Sequence, residues 1–164
     1  MQPRRQRLQG MDFVRRSWCR VAPLPEGVKP SSVNSYTLAD IEQAFRDSWA
    51  LDTCDPVDAA LWSERNPARG QCGVTSMTLQ DLIGGDLLEA EVLFPDGSHQ
   101  GYHYWNRLAG GIEIDLTLEQ FDAGEVVRSP RVIQRLTPLP TRLAEEYVLL
   151  RTRVYDRLGL SPLD

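Results

Sequence analysis

Apolar positions recur with two different periods along this chain, and the change of period divides it. Leu38, Ile41, Phe45 and Trp49 keep the three-to-four spacing of one helix face. Thr37 stands before them as an N-cap and Asp40 closes a variant capping box, so the spacing predicts a helix over 37–50 with Trp49 in the core. A second helix is predicted from Cys72. Val74, Met77 and Leu82 with Ile83 form its stripe, and Gly84-Gly85 stops it. A third runs from Thr141 to Leu158, with Leu143, Tyr147, Leu150, Val154 and Leu158 on one face and Gly159 beyond.

Between the second and third helices the period falls to two. Leu87 to Phe94 reads as a strand closed by the turn Pro95-Asp96-Gly97-Ser98. Gly101 to Arg107 is a second, aromatic-rich strand. Ile112 to Thr117 alternates as a third, joined to the second by a tight turn at Leu108–Gly111, which gives an antiparallel meander. Leu118 to Phe121 starts a short helical turn with Thr117 as its cap, and 126–135 fits either a strand or an extended loop. The predicted class is α+β: an antiparallel sheet of about four strands packed against the Cys72 helix, with the other two helices around it. Residues 51–69 form a long loop marked by Asp52, Asp55, Pro56 and Asp58, pinned to the body by Trp62 and placed to wall a cleft.

Charge changes the picture at the N-terminus. Residues 1–35 carry seven Lys/Arg and two Asp/Glu, whereas residues 36–164 carry eleven and twenty-one. With its prolines and its Ser31–Ser35 polar run, the basic segment reads as a flexible leader, with one short helical turn at Phe13, Val14 and Trp18. Met11 offers an alternative start. The remainder, 36–164, reads as a single acidic domain, a poor match for a phosphate backbone, so nucleic acid is not an expected partner. No apolar run approaches the ~20 residues that cross a bilayer. Three sparse cysteines without finger spacing suit a reducing cytoplasm.

Cys72 falls at the start of its helix, where free backbone N–H groups and the macrodipole favour a thiolate. Only two histidines exist. His99 lies in the hairpin turn and His103 in mid-strand. If the next turn uses three residues, Leu108 to Gly110, then Arg107 faces Gly111 and His103 faces Asp115, with Cβ atoms roughly 4.5–5.5 Å apart. A one-residue slip would separate them. Cysteine as nucleophile, histidine as its proton partner and aspartate as the group that orients the ring make a coherent catalytic set. Oxyanion donors are offered by the Cys72 backbone N–H and by the side chains of Gln71 or Asn66. Asn106 and Thr117 are read as structural. The substrate would be a peptide, a protein or a small amide or thioester, without a cofactor. Zinc held by Cys72, His103 and Asp115 is a weaker reading, because that donor set is uncommon. The rival from another class is a binding or regulatory domain that keeps the cluster for structure. The oligomeric state stays open.

The blocks Gly70–Ser76, Gln80–Gly85, His103–Arg107 and Glu113–Thr117 with Gln120-Phe121 resemble the YunG family of uncharacterised bacterial proteins, over about Tyr36 to Phe121. That resemblance implies a small bacterial protein and no particular activity. The order of Cys-helix, His-strand and Asp-strand is also similar to papain-like and transglutaminase-like cores, an analogy of architecture.

Overall fold

A computed structural model describes residues 36–135 and 142–161. The basic leader, its suggested turn at Phe13 and Trp18, and Thr141 lie outside the described residues; the third helix starts at Ala144 rather than Thr141, with Leu143 before it in the left-handed region at φ 67°. The helices are α1 (Leu38–Arg46), α2 (Cys72–Ile83) and α3 (Ala144–Arg157). The strands are β1 (Asp86–Leu93), β2 (His99–Arg107), β3 (Glu113–Ile114) and β4 (Val126–Ile133). They form one open antiparallel sheet in the order β3-β2-β1-β4. Among the described residues, no helix is long and apolar enough to cross a membrane.

Local chemistry accounts for the helix ends. Thr37 and Asp40 exchange hydrogen bonds across the first turn of α1: Oγ1 accepts from Asp40 N–H at 3.2 Å and the carboxylate accepts from Thr37 N–H at 2.8 Å. The apolar stripes then meet in one core. Ile41 and Phe45 of α1, Trp49 just beyond it, Val74 and Leu79 of α2 and Tyr147, Leu150 and Val154 of α3 close around Ile114 and Leu116. Leu38 is in register with its stripe yet exposed, since it occupies the first turn at the rim of this core. The Trp49 indole N–H donates to Thr75 Oγ1 at 2.9 Å, so its one polar atom is satisfied inside.

The β2–β3 connection differs from the expected three-residue turn. Leu108 N–H donates to Ile112 O at 2.8 Å across a wider loop, with Gly110 and Gly111 both at positive φ (85° and 82°). Arg107 therefore opposes Glu113, and Asn106 opposes Ile114. The register is displaced by two residues from the one the sequence suggested. Side-chain direction repeats every two residues, so an even displacement leaves His103 and Asp115 on the same side. The strand is also shorter than expected. Beyond Ile114, Asp115 Oδ1 accepts the N–H of Thr117 at 3.0 Å, a local turn that ends the pairing. Thr117 consequently turns its hydroxyl to Asp115 and leaves the Leu118–Gln120 turn without a side-chain cap.

The ambiguous 126–135 stretch is the edge strand β4. Its pairing with β1 slips between Glu89↔Arg131 and Glu91↔Arg128, where Ser129 (φ 53°) and Pro130 bulge. Proline lacks the N–H that continuous pairing needs, so a bulge on an edge strand accommodates it. The interrupted alternation is why the pattern alone left the segment undecided.

Leu150, fully buried between the helices, is expected to matter far more than Leu118, which is 63% exposed. Chemical denaturation of Leu150→Ala should show a loss of about 2–5 kcal/mol. For Leu118→Ala the change should stay within about 0.5 kcal/mol.

Candidate active site

The loop before α2 is shaped by what surrounds it. Gly70 has φ +70°, and a Cβ there would lie 2.5 Å from Cys54 Sγ and 2.8 Å from Asp58 Cβ, so only glycine fits. Its carbonyl accepts Asp55 N–H at 2.8 Å. The neighbouring Arg69 is buried and reaches three partners at 3.3 Å: Asp58, Glu125 and the backbone carbonyl of Gln120. The indole N–H of Trp62, the residue expected to pin this loop, donates to Pro67 O within it at 3.2 Å, and Arg69 ties the loop to the stretch after β3. So anchored, the chain enters α2 with Cys72 as its first helical residue.

At that position the backbone N–H groups of the first turn have no intrahelical acceptor. The Cys72 thiol is half-buried, with Tyr102 O 4.0 Å from Sγ. Cys54 is the contrasting thiol. Fully buried, it donates to the carbonyls of Asp55 and Arg69 at 3.3 Å. Burial, then the nearby Asp58 and Asp55 carboxylates, push it up to about 12, which keeps it protonated and inert.

His103 is 1% exposed, and both of its ring nitrogens are engaged. Nε2 lies 2.7 Å from Asp115 Oδ2. The other carboxylate oxygen, Oδ1, accepts both the N–H and the hydroxyl of Thr117, at 3.0 and 3.2 Å, which fixes the carboxylate plane. Nδ1 lies 2.9 Å from Gln120 Nε2. Trp105 stacks on the ring at 5.4 Å between centroids, and Phe121 meets it edge-on at 4.8 Å. Burial works against the charged ring, but Asp115 and Cys72 more than offset it and push His103 up to about 9. The thiol at the head of α2 and the carboxylate after β3 thus both favour the charged form of the ring on β2.

The two amides offered from sequence as oxyanion donors have other partners. Gln71 is wholly buried, and its Nε2 donates to Ala50 O at 2.9 Å. Asn66 donates from Nδ2 to Gln120 O at 3.0 Å. Each holds a loop by bonding the backbone, as Asn and Gln in loops commonly do. Asn106 donates to Ser76 O at 2.9 Å and ties β2 to α2. His99 is exposed at the start of β2, edge-on to the ring of Tyr102. Among the described residues, no three or more His, Cys, Asp and Glu side chains are grouped as metal ligands. A groove of about 480 Å³ opens beside Asp115 between Glu42, Arg46 and Leu118, and neither Cys72 nor His103 lines it.

Gln120, Phe121 and Trp105 are the ring neighbours that sequence reasoning did not single out. Trp105 sits two residues from His103 on the same strand face, a signal that alternation does contain. A glutamine in a short helical turn carries no such mark. Only the packing of that turn against β2 brings it to the histidine.

Comparison with known proteins places the chain among relatives. The uncharacterized protein YunG of Bacillus subtilis (strain 168) is 30% identical over 86 residues, which cover 52% of this chain and 64% of that protein. The match thus spans a little under two thirds of that relative's length. No solved structure matches the chain significantly. The family model described as YunG protein matches residues 37–159, which includes α1, α2, the whole sheet and α3. On that match, the chain belongs to the YunG family.

Proposed function

We propose that the protein is a cysteine-dependent acyl-transfer enzyme with a papain-like or transglutaminase-like core. The observation that supports it most is the buried His103 ring, oriented by Asp115 through Nε2, whose charged form is also favoured by the half-buried Cys72 thiol at a helix N-terminus. In this reading the thiol proton passes to His103 Nδ1 and Sγ attacks the carbonyl of an amide or thioester. The tetrahedral oxyanion is met by the backbone N–H groups at the head of α2. On collapse, the imidazolium returns its proton to the departing amine or thiol, leaving an acyl-thioester on Cys72. Water, or an acceptor amine, then attacks that thioester while His103 takes up its proton, and the acid or new amide leaves as the thiolate re-forms. Asp115 keeps the ring in the right tautomer throughout. The substrate is a peptide, protein or small amide or thioester, and the setting is the cytoplasm. One observation favours the rival reading of a structural cluster in a binding domain. Nδ1, which the thiol needs, already has Gln120 as its partner.

Alkylation mapped by mass spectrometry separates the two readings. Iodoacetamide at pH 6 should modify Cys72 and leave Cys54 untouched, and His103→Ala should slow Cys72 about tenfold or more by removing the cation that stabilises the thiolate. If Cys72 instead titrates near the free-thiol value of about 8.5, with or without His103, the structural reading stands and the enzyme does not.

The charged ring also has a signature in stability. His103 keeps its proton to about pH 9 when folded, against about 6.5 unfolded. Its contribution is therefore complete below pH 6.5, declines between 6.5 and 9, and is absent above. Denaturation across that window should lose up to about 1.4 kcal/mol per pH unit more in the wild type than in His103→Gln.

A further inference from the structure

The Nδ1 atom of His103 has two claimants. Asp115 takes Nε2, so Nδ1 is the nitrogen left to exchange a proton with Cys72. In the structure the Gln120 amide nitrogen stands 2.9 Å from it, inside the protein, with Gln120 itself 5% exposed. An amide N–H can only donate. It pairs with a lone pair on Nδ1, and that lone pair exists only when the ring is neutral with its proton on Nε2. Such a ring donates Nε2–H to Asp115 Oδ2, which agrees with the 2.7 Å contact there. The titratable groups facing the ring are Asp115 after β3 and Cys72 on α2, and both favour the charged form. The remaining neighbours, Trp105 on β2 and Phe121 beside Gln120, are uncharged.

Gln120 is held firmly at its backbone. Its carbonyl accepts Asn66 Nδ2 at 3.0 Å and Arg69 Nη1 at 3.3 Å. Both donors belong to the loop that leads into Cys72. One stretch of chain thereby sets the position of the thiol and of the amide that competes with it.

We propose that Gln120 is a positioning residue that holds the neutral form of His103 as its Nε2–H tautomer and opposes the thiolate–imidazolium pair, which forms as the amide leaves Nδ1. This deepens the acyl-transfer reading and rests on it for its functional meaning. The latch itself is a property of His103 that can be observed without any substrate.

The test uses the full chain labelled with ¹⁵N, and follows the two histidine side chains by long-range ¹H–¹⁵N correlation across pH. In the wild type the neutral form of His103 should be the Nε2–H tautomer. Gln120→Met keeps the bulk and removes the hydrogen bond, so the His103 midpoint should rise by about 0.5–1 pH unit. Cys72 alkylation at pH 6 should rise several-fold with it. Gln120→Glu places an acceptor at Nδ1, so the midpoint should rise as well, while alkylation stays below that of Gln120→Met because the carboxylate rivals the thiolate. A purely structural glutamine would lower the melting temperature and leave the tautomer and the midpoint where they were. That outcome, or a midpoint that falls in Gln120→Met, overturns the latch. If the midpoint rises as stated while Cys72 reacts as a free thiol, the latch stands and the acyl-transfer reading is what fails.

Discussion

The contact between His103 Nε2 and Asp115 Oδ2 constrains the rest of this site. A histidine with 1% exposure must have partners for both nitrogens, because an unpaired buried polar group is costly. Asp115 meets that need on one side, and the strand geometry meets the need of Asp115 in turn. The carboxylate stands one residue past the last paired position of β3, where the chain bends and Thr117 closes on its second oxygen. One carboxylate thus ties the ring to the turn that ends β3. Trp105 and Phe121 close the remaining sides with apolar surface, which strengthens the electrostatic contact by excluding water.

Arg69 plays the corresponding part for the thiol. A buried guanidinium is tolerated only with partners, and here they come from two regions far apart in sequence, Asp58 on one side and Glu125 with Gln120 O on the other. The loop before α2 and the stretch after β3 are thus bound to a common cation. Removing Arg69 would leave the Glu125 carboxylate buried without it, so the loop and the 118–125 stretch are expected to behave as one unit. The position of Cys72 relative to His103 follows from that unit as much as from helix α2.

Much of the fold was legible because its physics is local. The α1 cap depends on residues three apart, the stripes of all three helices on the 3.6-residue period, and the β1–β2 hairpin on period two with a turn between. The pairing of His103 with Asp115 was inferred from a turn that was too short, and it survives because the displacement was even. What the local pattern could not supply was the bulge in β4, the early end of β3 and the destination of each amide. Asn66, Gln71 and Gln120 look alike in sequence, as polar residues in or beside turns. Their partners lie 54, 21 and 17 residues away.

By itself, then, the sequence determined the α+β class, the helix that presents Cys72, the strand that carries His103 and the side of the sheet that Asp115 shares with it. These rest on period, capping and alternation, which act over a few residues. Tertiary structure alone decided that Gln120 would face Nδ1, that Gln71 and Asn66 would bond backbone carbonyls, and that Arg69 would join two distant loops. Those outcomes depend on which buried donors and acceptors come together once the chain has closed, and hydrogen-bond satisfaction in a core is settled by that geometry rather than by neighbours in sequence.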